Sequence, residues 1–445
     1  MFSVRFDVST LVGAVGGDRR GPDVVVDGAN IDSRELVSGQ LFVPIVSDRD
    51  GHHFIAGALE RGAPAYLTEH EPDRTAGGLA TAVVVEDTAR ALTTAGGLAR
   101  DELDRGSVRE VVGITGSVGK TSVKDLTHAA CSSWFRTEAN LRSFNNELGV
   151  PLTLLNAPGD TEIMIVEMGA RGAGHISELC EVGRPTIGVV TMVGAAHTEA
   201  FGDVEAVARA KSELVQALPA SGTAVLNAEV PLVVAMAART EAEVVTFGAG
   251  GDVRAERVEL GPDLTVRYRL VSDWGKAEVA LPVRGVHNVV NSLAAATVAL
   301  VSSVPVDSVV EGLAAAVLSP WRMEVTTAAS GAVVINDAYN ANPMSVRAAL
   351  ESLAAVDATR RVAILGRMAE LGTEEEPAHR AMSELAHELG VTVIAVDCAA
   401  YTVADVHVTD HDGALAELGP LGQGDAVLVK GSRVAGLEQL AARLA

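Results

Sequence analysis

The chain alternates between short, β-branched apolar runs and longer stretches in which apolar positions return with helical spacing. The short runs read as strands and the periodic stretches as helices, and their succession divides the chain into three units. In residues 1–107, strands are predicted at 24–26, 41–43 and 82–85, with helices over 54–61 and 88–103. The polar run Asp101-Glu102-Leu103-Asp104-Arg105-Gly106-Ser107 then reads as a linker. Residues 108–320 carry strands at 111–115, 163–166, 187–191 and 223–227, each continuously apolar. Strands without polar alternation are those buried on both faces, so a parallel sheet covered by helices is expected here. The alternating segment 253–283 reads as antiparallel strands appended to that sheet, and a helix over 288–301 closes the unit. In residues 321–445, strands at 333–335, 361–365, 391–396 and 426–429 alternate with helices at 343–355, 375–389 and 434–444. That pattern predicts a second doubly wound unit, of Rossmann type.

Composition narrows the class of partner. Hydrophobic residues make up 48% of 445 positions, enough for several full cores. Cys131, Cys180 and Cys398 lie too far apart to frame a disulfide scaffold or a zinc site, and read as inert thiols in a reducing cytoplasm. No apolar run reaches the roughly 18–20 residues of a membrane span. The start, Met1-Phe2-Ser3-Val4-Arg5-Phe6-Asp7, lacks the basic-then-apolar layout of a signal peptide. A cytoplasmic protein without membrane insertion is therefore expected. A net charge of −23 repels nucleic acid and anionic membrane. An anionic small substrate needs only a local positive pocket and stays open.

Such a pocket is written into the start of the second unit. Gly116-Ser117-Val118-Gly119-Lys120-Thr121 follows an apolar strand and precedes a helix. Glycines let backbone N–H groups face an anion, and a helix N-terminus adds positive potential. Lys120 is placed to neutralise the β- and γ-phosphates of ATP, and the Thr121 hydroxyl to ligate Mg²⁺. The loop is a shortened one, because Ile114 stands where the longer G-x-x-x-x-G-K-T form has its first glycine.

Glu167 ends the strand Ile163-Met164-Ile165-Val166. A carboxylate at the C-terminal end of a parallel strand lies on the ligand edge of the sheet, where it can hold Mg²⁺. His197 follows the next strand and falls on the same edge, although imidazole suits Mg²⁺ poorly. Lys211 lies within the helical stretch 204–218 and, on position alone, reads as a solvated helix lysine.

Several further stretches occur in order. They are Asn145-Asn146-Glu147-Leu148-Gly149-Val150-Pro151, Val166-Glu167-Met168-Gly169-Ala170 and Ala196-His197-Thr198-Glu199-Ala200-Phe201-Gly202. Ala210-Lys211-Ser212-Glu213, His287-Asn288-Val289-Val290-Asn291 and Arg322-Met323-Glu324 follow. Asp337-Ala338-Tyr339-Asn340-Ala341-Asn342-Pro343 and Lys430-Gly431-Ser432-Arg433 complete the series. With the phosphate loop, these resemble the Mur ligases of peptidoglycan synthesis over nearly the whole chain. The run 337–343 resembles the branch that adds D-alanyl-D-alanine. Asp32-Ser33-Arg34, Gly39-Gln40-Leu41-Phe42-Val43 and Asp50-Gly51-His52-His53-Phe54 resemble the family's UDP-sugar domain.

The resemblance implies an α/β protein of three domains. A small UDP-sugar-binding α/β domain would span 1–107. A central P-loop ATPase-like parallel-sheet domain would span 108–320, and a C-terminal Rossmann-like domain 321–445. It implies an ATP- and Mg²⁺-dependent ligase joining D-Ala-D-Ala to UDP-N-acetylmuramoyl-tripeptide through an acyl phosphate, acting as a monomer. Carried over by matching positions, Gly116, Ser117, Val118, Gly119, Lys120 and Thr121 would hold the phosphates. Thr121, Glu167 and His197 would serve Mg²⁺ sites. Lys211 matches a lysine that CO₂ carbamylates into a metal ligand. Asn288 and Asn291 would face adenine and ribose, Arg322 and Asp337 would reach ATP from the C-terminal domain, and Asn340 would support the adenine side. Asn145, Asn146 and Glu147 would line the peptide channel, with Ser33 and Arg34 on the UDP-sugar side. Because Arg322 and Asp337 lie far in sequence from Lys120, domain closure is expected to assemble the site. Arg367 is a departure, since the family usually has an acidic residue there. The alternatives at this point are a related ligase with another amino acid or acceptor, and a nucleotide-binding paralogue without turnover.

Overall fold

The computed structural model describes residues 3–72, 80–140, 144–194 and 201–444. Three α/β units follow one another. In the first, five strands pair in the order Asp18–Arg20, Thr81–Val84, Ala65–Thr68, Leu41–Phe42, Ala29–Asn30. Only Asp18–Arg20 runs antiparallel to its neighbour in that sheet.

The second unit holds a six-stranded, wholly parallel sheet: Glu243–Phe247, Thr223–Asn227, Ile187–Val190, Glu110–Thr115, Ile163–Glu167, Thr137–Ala139. Its inner strands are buried on both faces, which is why they read as unbroken apolar runs. The strands Arg254–Leu260, Thr265–Ser272 and Gly275–Arg284 form a separate antiparallel sheet rather than an extension of the parallel one. A single bridge, Phe247 to Val253, joins the two.

The third unit is another six-stranded sheet, ordered Glu324–Thr327, Val333–Asn336, Asp425–Lys430, Arg360–Leu365, Thr392–Val396, Val406–Val408. All its pairings are parallel except that of Glu324–Thr327. Its helix Pro343–Ala354 starts where the sequence directs: the Ser345 backbone N–H donates to Asn342 Oδ1, the Asn342 backbone N–H donates to Ser345 Oγ, and Pro343 occupies the first turn.

The polar run read as a linker is instead the last turns of helix Thr88–Arg105. Arg100 and Leu103 face inward, and the Arg100 Nε donates to the Gly183 carbonyl at 2.8 Å. Asp101 pairs with Arg184 at 2.6 Å on the outer side. The polar residues are thus the wet face of a helix docked on the second unit, and one apolar core runs through both. The helix approaches the second unit closely at Gly96. A Cβ there would stand 2.6 Å from Pro151 Cβ and 2.7 Å from its Cα. Gly96→Ala is expected to destabilise the protein by about 1–3 kcal/mol through this overpacking, read as a lower midpoint in urea.

Candidate active site

The site grows from strand Glu110–Thr115. The chain fills one side of this strand with Ile163–Glu167 and then crosses to fill the other with Ile187–Val190. The crevice beyond the carboxyl ends therefore opens above it, as at any topological switch point. Gly116 to Gly119 turn from the strand into helix Lys120–Ser132. Gly116 has φ +151°, and a Cβ there would lie 1.9 Å from Thr191 Oγ1. Gly119 has φ +84°, and its Cβ would lie 2.8 Å from Asn291 Oδ1. The loop is tied down on its far side: Ser117 N–H donates to Met192 O at 2.8 Å, and Thr191 Oγ1 to Val118 O at 2.6 Å. Gly116→Ala is expected to weaken ADP binding about tenfold or more, measured by calorimetry, since strain and clash both displace the loop.

Lys120 folds back to donate from Nζ to Gly116 O at 2.8 Å. Burial lowers its pKa, Arg322 lowers it further, and Glu167 opposes both. Glu167 is 1% exposed and is held by neutral donors. Thr121 Oγ1 donates to its Oε2 and Asn145 Nδ2 to its Oε1, each at 2.8 Å. The Glu167 backbone N–H donates to Asn140 Oδ1 at 3.0 Å.

Lys211 corrects the reading as a solvated lysine. It is 2% exposed, on the inner face of helix Val204–Gln216 with Val207, Leu214 and Val215. Its pKa falls to about 7, first through burial and then through Lys120, against an opposing pull from Glu213. Glu213 is itself committed elsewhere, accepting from the backbone N–H groups of Gly174, Ile176 and Ser177 at 2.7, 3.1 and 3.1 Å. His197 lies outside the described residues.

The third unit supplies the opposite wall. Lys120, Thr121, Glu167 and Lys211 share a cleft of about 1250 Å³ with Arg322, Asp337, Tyr339, Asn340 and Lys430. Arg322 lies close enough to depress the pKa of Lys120, so cations from two units converge. Asn288 and Asn291 line the cleft and are prearranged, with Asn291 Nδ2 donating to Asn288 Oδ1 and Asn288 Nδ2 to Arg284 O, both at 2.8 Å. Phe247, Val286 and Leu318 add apolar surface, and Asn145, Asn146 and Glu147 also line the cleft.

Ser33 and Arg34 do not line it. The Arg34 side chain is 84% exposed and folds onto Asp32, with bonds of 3.0 and 2.7 Å. Arg367 is also outside, paired with both carboxylate oxygens of Glu375 at 2.6 and 2.7 Å, while Ala369 and Glu370 of the same segment line the cleft. Among the described residues, one other His/Asp group gathers, Asp50, His52 and His70. Both His52 nitrogens are already engaged, Nδ1 with Asp50 at 2.6 Å and Nε2 with the Glu69 N–H at 3.0 Å.

Tyr339 and Lys430 lie in stretches quoted for the resemblance, yet carry no role from it. The signal for Lys430 was available: like Glu167, it is a charged residue ending a buried parallel strand.

A shortened phosphate loop at a switch point, a buried carboxylate beside it and a guanidinium from a second doubly wound unit form a site suited to a nucleotide's phosphates and a cation. Family comparison agrees. The profile described as Mur ligase middle domain matches residues 114–299, and that described as Mur ligase, glutamate ligase domain, matches 321–433. The UDP-N-acetylmuramoyl-tripeptide--D-alanyl-D-alanine ligase of Mycobacterium tuberculosis is 38% identical over 98% of this chain and 96% of its own. That of Escherichia coli is 32% identical over 97% of each. Among solved structures, MurF from Acinetobacter baumannii matches with a TM-score of 0.90 at 28% identity, covering 100% of this chain and 99% of that one. MurF ligase from Thermotoga maritima in complex with ADP matches with a TM-score of 0.82 at 26% identity, covering 94% and 96%. The chain belongs to the Mur ligase family. It is an ATP-using ligase, and no helix among its described residues is long and apolar enough to cross a membrane.

Proposed function

We propose that the protein joins D-alanyl-D-alanine to UDP-N-acetylmuramoyl-tripeptide at the expense of ATP, as a cytoplasmic monomer in peptidoglycan precursor synthesis. The observation that carries this reading is the cleft in which Lys120, Glu167 and Arg322 meet, in a chain whose near-full-length relatives are named for that reaction. In this reading residues 1–107 hold the UDP-sugar, with Ser33 and Arg34 on that side. Residues 108–320 hold ATP, and 321–445 close over it. The terminal carboxylate of the tripeptide attacks the γ-phosphorus, giving an acyl phosphate and ADP. The amine of D-Ala-D-Ala then attacks the acyl carbon, loses its proton, and phosphate leaves.

The difficulty in the first step is that two anions must approach. Lys120 on one wall and Arg322 on the other offset this repulsion and stabilise charge spread over the transferring oxygens. Asn288 and Asn291 orient the adenosine, with Asp337 and Asn340 opposite. Asn145, Asn146 and Glu147 guide the peptide. Positioning dominates, because a loose phosphoryl transition state needs little covalent help.

Mg²⁺ fits the donor set. Thr121 Oγ1 and the Glu167 carboxylate are hard oxygens already 2.8 Å apart, with His197 assigned beside them by resemblance. Bound there, the ion would supply further neutralisation of the phosphates. Lys211 would join as a carbamate: a buried amine with a pKa of about 7 is about half neutral at pH 7 and increasingly so above it, and only the neutral amine adds CO₂. Carbon-13 NMR in labelled bicarbonate is expected to show one carbamate signal that Lys211→Met removes. For the reaction itself, ADP release with ATP and the tripeptide nucleotide should require D-Ala-D-Ala. Equal release with D-alanine alone would point to the related ligase of other acceptor specificity.

A further inference from the structure

Arg322 is flanked on both sides by residues in a backbone conformation that their side chains do not favour. Trp321 has φ +62° and Met323 φ +50°, one on each side of it. Residues with large side chains rarely enter the left-handed region, so the surroundings must hold the turn there. The supports come from two places in the third unit. The Tyr339 N–H donates to Trp321 O at 3.2 Å, and the Met323 N–H donates to Asp337 Oδ1 at 3.1 Å. The other Asp337 oxygen accepts from Lys430 Nζ at 2.5 Å. Lys430 Nζ also donates to Asn340 O at 2.9 Å and Asp337 O at 3.3 Å. An ammonium has three donors, so Lys430 keeps none for a ligand. The Arg322 guanidinium carbon lies 4.2 Å above the Tyr339 ring, and its buried Nε has no hydrogen-bond partner. The ring therefore backs the guanidinium without taking up any of its N–H donors.

We propose that Lys430 and Tyr339 are positioning residues for Arg322. Lys430 locks Asp337, Asp337 holds the left-handed turn by its backbone, and Tyr339 carries the guanidinium. Asp337 thus serves Arg322 besides any contact it makes with ATP. The proposal rests on Arg322 being the cation that meets the transferring phosphoryl group.

The test is a set of double-variant cycles with steady-state kinetics, ADP affinity and thermal melting. Tyr339→Leu and Lys430→Met are each expected to lower kcat about tenfold, and in Tyr339→Leu, which leaves Asp337 and Asn340 in place, ADP affinity should change by less than about threefold. Tyr339→Phe, which keeps the ring, is expected to restore most of the turnover. In an Arg322→Ala background, neither Tyr339→Leu nor Lys430→Met should lower kcat further. Losses that persist undiminished in that background, or that appear only in ADP affinity, overturn the proposal. If Lys430→Met melts too low to assay, the half-buried Tyr339 carries the cycle alone. Wild-type turnover in Arg322→Ala itself would instead sink the reading of Arg322, whatever Tyr339 does.

Discussion

Replacing Lys120 by alanine is expected to lower ligase turnover about a thousandfold while leaving the thermal midpoint nearly unchanged. Lys120 as a residue is only partly buried and its hydrogen bond is to its own loop, Gly116 O, so the fold loses little with it. The reaction loses the cation at the end of the phosphate loop. Arg322 cannot substitute, since it reaches the cleft from the other unit. A second readout follows from the electrostatics. Lys120 is one of the charges that depress Lys211, so its removal should raise the Lys211 pKa and shift the onset of carbamylation to higher pH. Unchanged turnover in Lys120→Ala would contradict the enzymatic account of this site.

Lys211→Met should abolish activity and yet stabilise the unliganded protein. A lysine held at a pKa of about 7 in the folded state has an ordinary value near 10.5 in the unfolded chain. Between those two values the unfolded state binds the extra proton, so folding stability rises with pH across that window. Below pH 7 the folded protein carries the full penalty of a buried ammonium. Methionine fills similar space without that penalty. In CO₂-free buffer the variant is expected to melt above the wild type near pH 7, with the gap closing as pH approaches 10.5. A variant that melts lower throughout would mean that Lys211 is paired rather than stranded.

Much of this was legible in the sequence. The parallel strands announced themselves as unbroken apolar runs, because burial on both faces removes the alternation that would blur them. The phosphate loop and Glu167 followed from the same geometry, as groups at the carboxyl ends of strands. The strand Glu324–Thr327 escaped notice because it is short, at a sheet edge and half exposed. The run 101–107 misled because a docked helix shows the same polar residues on its wet face as a linker does. On position alone Lys211 read as solvated, although its spacing was informative: it stands four residues from Val207 and four from Val215, within the apolar stripe. The turn at Trp321 and Met323 had no such signal. Nothing in Trp, Arg or Met favours a left-handed backbone, and its supports come from 337–340 and 430, distant in sequence. That is the ordinary reason why sites escape local reading: local preference is overruled there by tertiary contacts.

The most direct test is mass spectrometry of the product formed from UDP-N-acetylmuramoyl-tripeptide, D-Ala-D-Ala and ATP. The expected product is the tripeptide nucleotide heavier by the dipeptide less one water, formed in step with ADP and phosphate. ADP release without that species, or preferential addition of a single amino acid, would contradict the assignment.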